Sequence, residues 1–404
     1  MRILHVIGSL SPADGGPPES VRQIANASMG AGHTVEVLCQ DRPDAPYLED
    51  FPLKIHTTGR GHLGRFGLSL TLWRWIRDHA GRYDCIIMNG IWTFPNLATR
   101  IAARKAGTPY AVFTHGGLDP WFRDRYPLKH LKKMLYWPFQ YRVLRDAQAV
   151  FFTTKTESDL AEESFRPNTW KGVVIPYGIG TPQQGTVDQK EVFLEHVPAL
   201  RGRSFFLFLG RIHEKKGCDL LMEAYARVAH ETDLDLVVAG PDQMELQGTL
   251  QAAATRAGIA DRVHWPGVLT GDVKWGALRS CAAFVLPSHQ ENFGIAVVES
   301  LAAGRPVLIS NQVNIWPEIQ ADAVGLVDDD TLDGTERLLR GWIAMQPEEQ
   351  DAMAARTEAT FHHRYSIAGA ASAIMSAFFA DKEENAEAAA GPKASGESKF
   401  PEGV

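Results

Sequence analysis

The chain has 404 residues, 45% hydrophobic and 22% charged, an ordinary globular composition whose length favours two domains. Its net charge of −7 argues against a general nucleic-acid binder, which draws on a basic surface field. Cys39, Cys85, Cys218 and Cys281 lie far apart with no C-x-x-C pair, which points away from a zinc site or disulfide framework and toward a reducing cytoplasm.

The chain opens Met-Arg-Ile-Leu-His-Val-Ile-Gly, an apolar stretch too short for a signal-peptide core, so it reads as a first strand, Arg2 to Ile7. A Gly/Pro loop (Gly8 to Pro18) follows, then a helix striped by Val21, Ile24, Ala25 and Ser28, then a strand from Thr34 to Cys39. That is a β-α-β unit. Further strands are predicted at Cys85–Met88, Tyr110–Phe113, Ala149–Phe152 and Gly172–Ile175. Residues 181–203 have weak periodicity and are read as a linker between a first domain (1–180) and a second (204–365).

The second domain repeats the opening pattern with a strand (Phe205–Leu209), a loop (Gly210–Gly217), a helix (Cys218–Ala229) and a strand (Leu234–Ala239). Strands at Val263–Trp265, Ala283–Leu286, Pro306–Ser310 and Gly325–Val327 follow, with a helix over Gly294–Ala303 stopped by Gly304. Such alternation predicts parallel sheets. Residues 366–380 are expected to form a helix packing back on the first domain. From Asp381 to the end, low apolar content predicts a disordered tail. The apolar runs around Phe151, Phe205 and Phe284 fall short of the roughly 18 to 20 residues that span a bilayer, so any membrane contact is expected to be peripheral.

Two segments carry the chemistry. Gly210-Arg211-Ile212-His213-Glu214-Lys215-Lys216-Gly217 sets cations between a strand and a helix, the edge at which open α/β sheets bind ligands. Arg211 can fork onto phosphate oxygens and Lys216 can act as a point charge; a solvated basic loop is the alternative. In the second segment, Pro287 to Val307, a loop runs into a helix start where the amides of Phe293, Gly294 and Ile295 make an anion site. Glu291 and Glu299, on either side of that start, can accept hydrogen bonds from hydroxyls at the two ends of a nucleotide-sugar. Each taken alone also suits an ordinary helix.

Together these segments, with the Glu-x7-Glu spacing, resemble the signatures of retaining glycosyltransferases of family 4, whose fold is GT-B: two Rossmann-like domains with parallel sheets facing a central cleft. The likeness extends to Gly15-Gly16, Thr114-His115-Gly116-Gly117, Val174-Ile175-Pro176-Tyr177-Gly178 and Gly304-Arg305-Pro306-Val307. It implies a UDP- or GDP-sugar donor with its diphosphate on Arg211, Lys216, Gly15 and Gly16, its ribose on Glu299, and its sugar against Glu291, Asn292 and His115. His115 and Glu291 are the candidate catalytic residues. The resemblance implies no metal and no cofactor, and Asp328-Asp329-Asp330, the one dense acidic run, reads as a turn.

His115 follows a strand in a glycine-flanked turn, which would face it into the cleft; a histidine that merely caps the turn is the other reading. Residues 121–139 are rich in cations and aromatics, with Leu128, Leu131 and Leu135 on one helical face. They fit a helix resting on anionic headgroups or embracing a lipid-diphosphate acceptor, and equally a core-packed helix with a basic face. The wording His-Gly-Gly-Leu-Asp-Pro-Trp resembles members that build bacterial surface polysaccharides on polyprenyl-diphosphate lipids. Trp316-Pro317 can stack on base or sugar, or form a packed turn.

Three other classes compete. A nicotinamide dehydrogenase would use the opening loop and Asp41, but Gly8 to Gly16 has no G-x-G-x-x-G. A nucleotide-sugar epimerase of the same layout would need no acceptor. A silent scaffold gives no reason for Arg211, Lys216, Glu291 and Glu299 to occur together.

Overall fold

The computed structural model describes residues 1–49, 51–120, 123, 127–180, 187–242 and 244–390. Two parallel sheets organise them. The first contains β1 (Arg2–Ile7), β2 (Thr34–Cys39), β3 (Lys54–Thr57), β4 (Cys85–Asn89), β5 (Tyr110–Phe113), β6 (Ala149–Phe152) and β7 (Gly172–Val174) in the order β3-β2-β1-β4-β5-β6-β7. The second contains β8 (Phe205–Leu209), β9 (Asp235–Ala239), β10 (Val263–Gly267), β11 (Ala283–Leu286), β12 (Val307–Ser310) and β13 (Gly325–Asp328) in the order β10-β9-β8-β11-β12-β13. Both are doubly wound, and the chain direction switches between β1 and β4 in one and between β8 and β11 in the other. This is the pair of Rossmann-like sheets of the GT-B fold, and a ligand crevice forms where the strand order reverses, beyond the carboxyl ends of the strands.

Strand β3 is the one strand not anticipated. It is a short edge of sequence Lys-Ile-His-Thr whose side chains are only partly covered, so it carries no apolar alternation.

Local sequence sets where the crevice-forming helices begin. In α1 (Gly16–Gly30), Gly15 at φ 84° turns the chain and two prolines occupy the first turn, where their missing N–H groups cost nothing. In α7 (Cys218–Val228), Gly217 takes the left-handed conformation at φ 65°, and a Cβ there would lie 2.1 Å from the Pro287 carbonyl oxygen. Only glycine fits.

Within 181–203, where the sequence has weak periodicity, the chain forms a helix, α6 (Gln189–His196), capped by Asp188. It packs on α9 (Gly271–Ser280), so this stretch rides on the second sheet's body rather than spanning a gap. Gly276 of α9 is what allows the approach, since a Cβ there would meet the Gln189 carbonyl oxygen at 1.8 Å. Residues 181–186 lie outside the described residues.

The chain crosses between the sheets twice, and the crossings lie side by side. Ile179 N–H donates to the Tyr365 carbonyl at 2.9 Å, and Ile367 N–H donates to the Ile179 carbonyl at 3.2 Å. After the second crossing, α14 (Ile367–Ala390) packs on α1 and sends Ala370, Ile374 and Phe378 into the first sheet's core beside Ile3, Ile24, Phe113 and Phe151. The helix is described as far as Ala390. Residues 391–404 lie outside the described residues.

Because Ile374 is fully buried in the first domain's core, Ile374→Ala is expected to cost about 2 to 5 kcal/mol. The measurement is urea unfolding, read as a lower midpoint at unchanged slope; an unchanged midpoint would show that α14 does not hold the first domain.

Candidate functional site

The carboxyl ends of both sheets face a cleft of about 520 Å³, lined from the first domain by Gly15, Gly16, His115 and Tyr177 and from the second by Arg211, Lys216 and the Glu291 to Ile295 stretch. Of the residues expected to serve the donor, all but Glu299 line this cavity.

The loop after β8 is wedged in place. Gly240, at φ 144°, passes so near that a Cβ would meet the Gly210 carbonyl oxygen at 1.8 Å. On the other side, His289 N–H donates to the Lys215 carbonyl at 3.0 Å. Lys216 is thereby held inside the cleft, where its ammonium forms an ion pair with the Glu291 carboxylate. Burial, then the positive charges of Arg211 and Lys215, push the Lys216 ammonium down to about 7, and the Glu291 carboxylate works against that shift. Glu291 is itself fixed through its backbone, donating to the Gln312 carbonyl at 2.9 Å and accepting from Asn314 N–H at 3.0 Å.

Gly294, at φ 79°, starts α10 (Ile295–Ala302). The first hydrogen bonds of this helix run from Val297 and Val298 to the Gly294 carbonyl, so the amides of Ile295 and Ala296 precede them, and both residues line the cleft. Phe293 has its ring in the core, edge-on to Tyr177 and Tyr365, and anchors the loop. Across the cleft, Gly16 begins α1 so close to Ile295 that a Cβ on it would stand 3.3 Å from the Ile295 side chain. The starts of two helices therefore meet at one place.

Glu299 sits farther along α10, outside the cavity lining, and accepts a hydrogen bond from Lys274 of α9 at 2.7 Å. Trp316 and Pro317 open helix α11 (Trp316–Ala321), with Trp316 packed against the core, and neither lines the cleft. Each residue of the acidic run is engaged by protein: Asp328 by Arg337, Asp329 by Asn311 and Asp330 by His289. Asp41 is occupied as well. Its carboxylate accepts from Leu10 N–H at 2.7 Å and from the Tyr47 hydroxyl at 2.8 Å, pinning the glycine loop instead of facing a ribose.

His115 lies at φ 50° in the turn after β5, its ring stacked on Phe113. Burial, with His5 nearby, pushes its imidazole down to about 3, so the ring is neutral at physiological pH. Nδ1 is hydrogen-bonded to the Tyr177 hydroxyl, which burial, with Glu157 nearby, raises well above its ordinary range. Tyr177 therefore keeps its proton, and donation of that proton to Nδ1 would leave the imidazole proton on Nε2. Nε2 is buried and has no partner among the described residues, while the ring lines the cleft.

Sequence reasoning passed over the residue that holds this turn. Glu157, in α5 (Lys155–Ser164), accepts from Thr114 Oγ1 at 2.5 Å, Gly116 N–H at 2.7 Å, and Thr153 N–H and Oγ1, each at 2.7 Å. Thr-x-x-Glu at 154–157 signals a helix start, and Thr154 does accept from Glu157 N–H. Nothing in that pattern says that the carboxylate faces another loop. On the turn's other side, Trp92 donates from Nε1 to the Gly117 carbonyl at 2.9 Å and from its backbone to Gln140 at 2.8 Å. This ties the turn to α4 (Pro127–Arg145).

With this geometry in view, comparison with known proteins is decisive. Residues 15–178 match the family described as a glycosyl transferase 4-like domain, and residues 191–359 match glycosyl transferases group 1. The chain belongs to the group 1 glycosyl transferases. It is 28% identical over 389 residues to the D-rhamnosyltransferase WbpZ of Pseudomonas aeruginosa, covering 90% of this chain and 92% of that one. It is 26% identical over 319 residues to the GDP-mannose:cellobiosyl-diphosphopolyprenol alpha-mannosyltransferase of Xanthomonas oryzae, covering 77% and 79%. Among solved structures, Anabaena HepE in complex with UDP superposes with a TM-score of 0.73 at 17% identity over 95% of this chain and 100% of that one, which shows a shared fold.

For this glycosyltransferase, the position of Lys216 has a consequence for pH. The ammonium binds a diphosphate only while protonated, so nucleoside-diphosphate affinity is expected to fall as pH rises through about 7. Titration calorimetry between acid and alkaline pH measures this. Lys216→Ala is expected to bind about 10- to 100-fold more weakly, the worth of one charge-assisted hydrogen bond, with that pH dependence gone.

Proposed function

We propose that this glycosyltransferase moves a sugar from a UDP- or GDP-sugar to a glycan or polyprenyl-diphosphate-linked acceptor with retention of anomeric configuration, in bacterial exopolysaccharide or lipopolysaccharide O-antigen synthesis. The observation that carries the reading is the pairing across one cleft of a cationic anion site with a neutral hydrogen-bond donor. Arg211, Lys216 and the start of α10 suit a diphosphate; His115 Nε2–H suits a sugar hydroxyl. As the bond from the anomeric carbon to the diphosphate breaks, negative charge grows on the leaving oxygen, where these cations and amides stabilise it. The acceptor hydroxyl then attacks from the face the diphosphate leaves, and its proton passes to a phosphate oxygen. Glu291 and Asn292 hold the donor sugar and Glu299 the ribose. No step calls for a metal, because the cations do that work.

The relatives support the donor and acceptor classes: one uses GDP-mannose and a diphosphopolyprenol-linked sugar by its name, and a structural neighbour holds UDP. Helix α4 bears on the acceptor. Leu128, Leu131 and Leu135 stand 78%, 56% and 75% exposed, so this face is not packed into the core. Beside it lies a cavity of about 480 Å³ walled by Met134, Trp137, Tyr141 and Phe165, with Arg142 and Arg145 on its lining. Exposed apolar side chains next to cations, in a chain of net charge −7, favour an anionic lipid surface and support a peripheral position on the cytoplasmic face of a membrane. Among the described residues no helix is long and apolar enough to cross one. Residues 121, 122 and 124–126 of the segment expected to make this contact lie outside the described residues.

A thermal-shift panel of nucleotide-sugars identifies the donor, and product analysis with and without acceptor tests the reaction. Acceptor-dependent nucleoside-diphosphate release, an α-linked product from an α-linked donor by NMR, and full activity in EDTA are expected. Free-sugar interconversion without acceptor would establish an epimerase instead. For the membrane surface, the protein is expected to co-sediment with anionic but not neutral vesicles, salt releasing it and Leu131→Glu with Leu135→Glu abolishing it. Co-sedimentation indifferent to lipid charge and salt would remove the idea.

A further inference from the structure

Two amide side chains from the second domain reach across the cleft and bond to the first. Asn292 Nδ2 donates to Thr153 Oγ1 at 3.0 Å and to Glu157 Oε2 at 3.2 Å, and Gln290 Nε2 donates to Asp119 Oδ2 at 2.6 Å. Both acceptor sites support the same turn. Glu157 fastens its start through Thr114 and Gly116, and Asp119 is its last residue. Gly116 presses on Asn292 directly, since a Cβ there would lie 3.0 Å from the Asn292 amide carbon. Glu157 is only 3% exposed.

The structural explanation for Glu157 is helix capping, and it does not suffice. Thr154 already caps α5, accepting from Glu157 N–H at 2.9 Å. The Glu157 carboxylate is spent elsewhere: one oxygen holds Thr114 and Gly116, the other holds Thr153 and Asn292. The backbone it holds needs holding. His115 and Gly116 lie consecutively at φ 50° and 72°, and the left-handed conformation of His115 costs on the order of 1 kcal/mol that the surroundings must offset. Opening the cleft would withdraw Asn292 and Gln290 together and leave Glu157 with four of its five donors.

We infer that Glu157 is a positioning residue that couples closure of the two domains, received through Asn292, to the conformation of the His115 turn. The inference rests on the proposed transfer reaction for its kinetic arm alone. His115 Nε2–H is aimed at a sugar hydroxyl only when the turn is set, and the turn is fully set only when the second domain supplies Asn292. A donor bound to the second domain alone would then not meet a formed reaction centre, which limits wasteful hydrolysis while the cleft is open.

Four variants test this. Glu157→Gln keeps the side-chain shape but turns an NH2 toward N–H donors, and Thr153→Val removes the hydroxyl that links Asn292 to Glu157 should Glu157→Gln melt early. Each is expected to lower kcat about 100-fold, the loss a misplacement on the order of 1 Å brings, while nucleoside-diphosphate affinity stays at the wild-type value. Asn292→Ala is expected to lower kcat at least as far, and in the Glu157→Gln background to cost clearly less than it does alone. Asn292→Asp sets a carboxylate against Glu157, and small-angle scattering of this variant without ligand is expected to give a larger radius of gyration than wild type. Unchanged kcat in folded Glu157→Gln and Thr153→Val, or fully additive losses with Asn292→Ala, would confine Asn292 to the sugar and Glu157 to the fold and overturn the latch. A wild-type radius for Asn292→Asp would likewise overturn the latch. Absence of sugar transfer by the wild-type protein would sink the transfer reading and leave the scattering result to decide the latch.

Discussion

A site built for a diphosphate must hold positive charge out of water while it waits. Here Lys216 is buried beside Arg211 and Lys215, an arrangement that would cost several kcal/mol if the ammonium stood unpaired. Glu291 offsets it. The Glu291 backbone is clamped between Gln312 and Asn314, which fixes the point from which its carboxylate reaches Lys216. The two partners belong to the two motifs that stand about 75 residues apart in the chain, and their contact makes one site of them. In the proposed reaction, a diphosphate arriving at Lys216 would replace Glu291 as its counter-ion and free a carboxylate to accept sugar hydroxyls next to the bond that breaks. The separate jobs assigned to Lys216 and Glu291 are in this sense one exchange.

The same economy of charge appears at the opposite end of each sheet. In the first domain, Glu36 of β2 accepts from His56 at 2.7 Å and Tyr83 at 2.8 Å, with Lys54 and Arg2 close by. Burial alone would raise this carboxyl, but its partners bring it down to about 2. In the second domain, Asp235 opens β9 and is met by Arg203, Arg262 and His264. These clusters are saturated: every carboxylate oxygen has a protein partner. The cleft is the contrast, since there the neutral Nε2 of His115 and the Oδ1 of Asn292 are buried without partners among the described residues. Saturated charge at one edge holds the strands; unsaturated polar atoms at the other await a substrate.

Much of this was legible in the sequence, and the limits have identifiable causes. Strands such as Phe205–Leu209 and Ala283–Leu286 are buried on both faces and read as short unbroken apolar runs, and Gly15, Gly217 and Gly294 mark helix starts by a conformation other residues resist. Each of the two motifs lining the cleft is legible because its parts are neighbours in the chain, Arg211, Lys216 and Gly217 in one and Glu291 and Gly294 in the other. Helix α6 was hidden because only Gln189 and Phe193 are buried, too few to make a stripe. Glu157 was hidden for a different reason: its Thr-x-x-Glu context is fully accounted for by a helix cap, and its bonds to Gly116 and Asn292 span 41 and 135 residues. The tautomer of His115 was likewise beyond reach, since it depends on a tyrosine from the crossover after β7.

The opening loop shows how one topology serves a transferase and not a dehydrogenase. A dinucleotide fingerprint brings strand and helix together over a tight glycine turn and leaves the acid after the second strand for a ribose. Here the loop from Gly8 to Gly15 is longer, and Asp41 is consumed in bracing it through Leu10. The gain is reach. The braced loop carries the start of α1 to the start of α10, near enough that a Cβ on Gly16 would stand 3.3 Å from the Ile295 side chain. Two helix amino ends, each equivalent to roughly half a positive charge, then border the same volume as Arg211 and Lys216. A field of that size, assembled from backbone and two side chains, would suit the departing diphosphate of the proposed reaction, and both domains contribute to it.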